Sequence, residues 1–136
     1  MSNVELKAYK VSKITFNNNV QGQTDFKLGT SASHNVKHNS DGRVCEAVLT
    51  VEVKDNSQPD VLNICVVVNG VFAITNKIEK EFIHVETFKE LFPLAKALIT
   101  TVTANAGIQP FIVKNIDIEK GEIYRWNVPG KKGDEN

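Results

Sequence analysis

The feature that most constrains this chain is a change of hydrophobic period near residue 75. Before it, apolar and polar residues alternate, the period-two pattern of strands with one covered face. Beyond it, from Glu90 to Ala106, Leu91, Ala95, Leu98, Val102 and Ala106 recur at spacings of three or four, the stripe of a helix packed on one side. Strands followed by a helix predict an α+β fold, a four-stranded antiparallel sheet and then one long helix.

Four strand segments are legible. From Val4 to Asn17, Val4, Leu6, Ala8, Ile14 and Phe16 share one parity while Tyr9 and Val11 take the other. That phase break predicts a bulge or a change of covered face. The second strand, from about Asp25 to His38, puts Phe26, Leu28, Ala32 and Val36 on one side. Asn39-Ser40-Asp41-Gly42 then signals a hairpin turn. The third strand runs from Arg43 to Asp55. The fourth, Val61 to about Ile74, loses its alternation in Ile64-Cys65-Val66-Val67-Val68, which predicts cover on both faces, by the helix and by a partner subunit. Asn69-Gly70 reads equally as a type I′ turn or as a bulge in one long strand.

The segment from Asn76 to Lys89 reads as a connection, with the helix beginning at Glu90, Pro93 near its start and Gly107 at its C-terminal end. That connection carries Ile78, Phe82, Val85 and Phe88, a high apolar content for a surface segment. One sheet and one helix leave this apolar surplus to be covered by another copy of the chain or by an apolar ligand. A folded unit over 1–120 and a partly disordered tail over 121–136 complete the organisation.

Composition narrows the function classes. The 136 residues fit one domain. Sixteen basic and sixteen acidic side chains cancel, which removes the general electrostatic drive toward nucleic acid or anionic membrane. Lys7, Lys10, Lys13 and Lys27, with Tyr9, Phe16 and Phe26 interleaved, leave single-strand nucleic-acid binding as a minor alternative. No leader peptide and no apolar run near bilayer length are visible, so the expected location is cytoplasmic. Cys45 and Cys65 read as reduced core residues. His34 and His38, roughly 13 Å apart on a regular strand, read as solvated, and no metal or cofactor is expected. Glu79, Glu81, Glu86 and Glu90 read as a solvated face. No nucleophile–base pair or phosphate loop is present, so no catalytic residue is assigned and no enzyme activity is expected.

The order and motifs of the chain resemble SecB, the export chaperone family. The resemblance runs from about Glu5 to Glu119. It rests on Ile14 and Phe16 at the end of the first strand, Asn69-Gly70-Val71-Phe72-Ala73-Ile74 and Leu91-Phe92-Pro93-Leu94-Ala95. Ile99-Thr100 and Asn105-Ala106-Gly107-Ile108-Gln109-Pro110 follow. It implies a bacterial, cofactor-free chaperone that binds unfolded or nascent polypeptides along apolar grooves and assembles as a homotetramer. It places the client groove along Phe72, Ile74, Ile78, Phe82, Val85, Phe88, Leu91 and Phe92. The positions where exporting members carry acidic residues for the SecA motor correspond here to Lys13, Asn17 and Cys65, so SecA docking is doubtful. A role outside export, such as guarding an antitoxin, is the alternative.

Overall fold

A computed structural model describes residues 3–19, 28–55 and 60–106. Four strands, β1 (Val4–Asn18), β2 (Leu28–His38), β3 (Val44–Asp55) and β4 (Leu62–Ile74), precede one helix, α1 (Lys80–Asn105). The sheet is antiparallel throughout, in the order β1-β4-β3-β2.

The turn between β2 and β3 forms where the sequence places it. Gly42 adopts φ +73°, a conformation that costs glycine little. The Asn39 side chain accepts the backbone N–H groups of Arg43 (3.1 Å) and Val44 (3.2 Å), closing the loop on itself.

The phase break in β1 resolves into two bulges. The register against β4 shifts between Leu6 and Ala8 and again between Val11 and Lys13. Leu6 stands opposite Phe72, Val11 opposite Val68 and Ile14 opposite Val66, and all three partners are fully buried on the helix side. Between the bulges the helix-facing set therefore moves to Tyr9 and Val11, while Ala8 turns outward opposite Val71.

Asn69-Gly70 is neither a turn nor a bulge of β4, which pairs with β3 without a register shift from Asn63 to Ala73. The two-sided apolar run divides between the two faces of the sheet. Ile64, Val66 and Val68 face the helix fully buried, while Cys65 and Val67 face outward half-covered. β4 lies between β1 and β3, and neighbouring side chains shade its outer face.

The helix begins ten residues earlier than the sequence indicates, at Lys80. Phe82, Val85 and Phe88 thus belong to α1, and Pro93 lies in its middle. The buried stripe of α1 is Ile83, His84, Thr87, Phe88, Leu91, Phe92, Ala95, Ile99 and Thr103; Leu98 and Val102 flank it half-buried. Thr87 and Thr103 are accommodated because their hydroxyls donate to the carbonyls of Ile83 (2.8 Å) and Ile99 (3.0 Å). Gly107 and the segments beyond it, like Phe26 and Lys27, lie outside the described residues.

Candidate functional site

The expected groove residues divide into two groups. Phe72 and Leu91 are fully buried, and Phe88 and Phe92 nearly so. They belong to the core between sheet and helix, although Phe92 also borders a shallow surface depression with Pro93, Lys96 and Thr100. The reason is the early helix start, which turns Phe88 from a linker residue into a sheet-facing one. Phe82 points away from the core and is 55% exposed. Ile74, Ile78 and Val85 are partly buried against the core. The open part of the expected groove is therefore Phe82 with Ile74, Ile78 and Val85 at the N-terminal end of α1.

A second uncovered apolar surface lies on β1. Tyr9, Val11 and Ile14 are opposite helix-facing residues of β4, yet they are 54%, 37% and 46% exposed. α1 does not reach across them.

His34 is not solvated: it is fully buried on the helix side of β2, because His34 and Val36 share the face that α1 covers. Its Nε2 lies 2.9 Å from Thr87 Oγ1, and its ring meets those of His84 and Phe88 edge-on at 4.9 and 5.5 Å. Burial, and secondarily His84, hold its pKa down to about 3, since a charged imidazole would lose its hydration there. Sequence reasoning missed this cluster; once α1 starts at Lys80, His84, Thr87 and Phe88 fall on one helical face. His38, at the end of the same strand, is partly exposed, and its pKa is lowered by burial and then by Lys80.

Glu86 is not a solvated residue either. Its carboxylate accepts the backbone N–H and the side-chain amide of Asn3, each at 2.7 Å, and so ties the helix to the start of β1. Glu79, Glu81 and Glu90 are exposed.

Cys45 is buried under α1, and its thiol is pushed up to about 11 by burial. Cys65 differs from the expectation, standing half-covered on the outward face opposite Thr15 and Glu52. Its pKa is raised by burial first and by Glu52 second. Both thiols stay protonated at neutral pH and are poor nucleophiles. Among the described residues no group of three or more His, Cys, Asp or Glu is arranged to hold a metal, and no helix is long and apolar enough to cross a membrane.

Lys13 pairs with Val67 and Asn17 with Asn63, both on the outward face with Cys65. Lys13, Asn17 and Cys65 thus share one surface, and none is a carboxylate. Asn17 donates to the Asn63 side chain at 3.1 Å.

A four-stranded antiparallel sheet backed by one long helix, with apolar side chains open at the helix start and along an edge strand, defines a SecB-type chaperone fold. The chain belongs to the SecB family: the family model described as preprotein translocase subunit SecB matches residues 4–128. Among solved structures, the chain is similar to a Mycobacterium tuberculosis SecB-like chaperone in complex with a peptide from an antitoxin. The TM-score is 0.64 at 10% identity, covering 85% of this chain and 88% of that one. A sequence comparison with curated proteins returns no match.

Proposed function

We propose that this protein is an ATP-independent holdase that binds unfolded or nascent polypeptides in the cytoplasm of a bacterium. The observation that carries the reading is the exposure of Phe82 beside the partly buried Ile74, Ile78 and Val85. Aliphatic and aromatic groups of this kind accept many apolar side chains without demanding one geometry. Each anchor contributes about 1.5–3 kcal/mol by area, enough for reversible capture once ordering costs are met. The uncovered Tyr9, Val11 and Ile14 support assembly with further copies, a tetramer being the form the family resemblance implies.

A dedicated adaptor is the second reading, favoured by the antitoxin peptide held by the similar M. tuberculosis chaperone. Delivery to the SecA motor fits less well, because Lys13, Asn17 and Cys65 offer no negative charge to a basic partner.

The deciding experiment measures aggregation of several unrelated heat-denatured proteins at pH 7.5 with and without the chaperone. A holdase suppresses all of them, an adaptor protects one partner, and failure with every substrate rejects the holdase. Affinity falling steeply with added salt would instead indicate nucleic acid. Light scattering that gives a single 15.1 kDa species would reject the oligomer.

A further inference from the structure

Asn3 fastens three parts of the chain at one point. Its backbone N–H donates to Oε1 of Glu86 and its side-chain amide to Oε2, each at 2.7 Å. Its carbonyl accepts the N–H of Thr75 at 2.9 Å and that of Asn76 at 3.5 Å. The next residue, Val4, pairs with Ile74 at the end of β4. The start of β1, the connection after β4 and the second turn of α1 therefore meet at this residue. Both bonds to Glu86 end on a carboxylate, which makes them stronger than bonds between neutral groups.

The open apolar surface lies on the elements that meet there. Ile74 ends β4, Ile78 lies in the connection, and Phe82 and Val85 lie on the first two turns of α1. Phe82 comes four residues before Glu86 and so stands on the same side of the helix. The backbone of the helix start has little polar support of its own. Glu79, the N-cap residue, makes no side-chain cap bond. Its carbonyl accepts the N–H groups of Phe82 (3.0 Å) and Ile83 (3.2 Å). A helix end without a side-chain cap is weaker than a capped one. Burial of Ile83 and His84 anchors one side of this end, and Glu86 ties down the side that bears the exposed Phe82.

We propose that the Asn3–Glu86 pair is a positioning clamp for polypeptide capture. It holds the first two turns of α1 to the start of β1 and so sets Phe82 beside Ile74 and Ile78 as one preformed apolar surface. The client rests on the holdase reading; the hold on the helix start does not. A surface ordered before binding loses less of its contact energy to ordering during binding. A loosened clamp leaves every apolar side chain present but disperses the surface, so affinity falls although no group that touches the client has changed. Asn3 and Glu86 are thus positioning residues, acting through Phe82.

The test exchanges the groups of the clamp in the full-length protein. Asn3→Asp sets two carboxylates against each other and breaks it. Glu86→Gln keeps it, because the Asn3 amide can turn over and accept from the new amide. In the Asn3→Asp, Glu86→Gln double variant the glutamine oxygen accepts the backbone N–H and its NH2 donates to the aspartate, so both bonds return. At pH 7.5, Asn3→Asp should weaken binding of reduced carboxymethylated α-lactalbumin, an unfolded probe, about tenfold. It should also speed amide exchange from Phe82 to Glu86 with β2 and β3 still protected, and the double variant should restore both. Wild-type affinity in Asn3→Asp overturns the clamp, as does a double variant that stays as weak as Asn3→Asp. Should Asn3→Asp not fold, Asn3→Ala, which loses one bond without adding repulsion, decides by the same two measurements. A wild type that binds no probe removes the holdase reading, and exchange alone then decides. Faster exchange confined to Phe82–Glu86 and the start of β1 upholds the clamp, and unchanged exchange overturns it.

Discussion

A β-carbon on Gly70 would stand 2.8 Å from Cδ2 of Leu91, so the passage of α1 over β4 depends on a residue without a side chain. The Phe72 ring (3.0 Å) and Leu6 (3.2 Å) crowd the same point from within the sheet. All three neighbours pack in or against the core, which leaves them little room to move.

Gly70→Ala is expected to destabilise the protein by about 1–3 kcal/mol through overpacking. Combining it with Leu91→Val makes room for the added methyl, so the double variant should cost less than the sum of the single ones. Urea unfolding at one fixed protein concentration checks this; strict additivity would show that the two residues do not share the space.

Stability should fall in acid with a contribution from His34. Its folded pKa, about 3, lies below the ordinary 6.5, so the unfolded chain takes up the proton first. The contribution is complete above about pH 6.5 and is lost progressively as the pH drops toward 3. Urea midpoints between pH 7.5 and pH 4 should decline more steeply in the wild type than in His34→Leu; parallel profiles would count against the burial of His34.

Phe82 and Phe88 should respond in opposite ways. Phe82→Ser removes an exposed ring and should change stability by no more than about 0.5 kcal/mol while weakening suppression of aggregation. Phe88→Ser opens the core beside His34 and should cost about 3–5 kcal/mol. Unchanged client protection by a folded Phe82→Ser protein would move the groove elsewhere.

The two thiols should differ in access. Cys65, half-covered on the outer face, should be alkylated slowly at pH 8 in the folded protein. Cys45, pushed up to about 11 and sealed under the helix, should react only on unfolding. Cys45→Ala should cost about 1–2 kcal/mol and Cys65→Ala about 0.5 kcal/mol or less, with client binding retained. Equal alkylation rates would contradict the burial difference.

Removing the tie between Glu86 and Asn3 should loosen the chain's start. Glu86→Ala leaves the Asn3 N–H and amide without their acceptor and is expected to cost about 1–2 kcal/mol. Faster amide exchange at the beginning of β1 would show it, with the rest of the sheet unaffected.

The residues alone determined the strand count, the β2–β3 turn, the phase break in β1 and the presence of a long helix after the sheet. These are local matters: alternation, a glycine turn and a helical stripe act over a few neighbours. Tertiary structure decided where the helix begins and what each apolar face meets. Ile78, Phe82, Val85 and Phe88 look alike in sequence, yet Phe88 is sealed against His34 and Phe82 stands open. His34 looks like a solvated strand residue until Thr87, fifty-three positions away, meets its ring nitrogen at 2.9 Å. Periodicity states which side chains share a face, but the partner that covers that face comes from distant chain, as Glu86 does for Asn3 across eighty-three residues. Burial, pKa and access to the candidate groove follow from that cover.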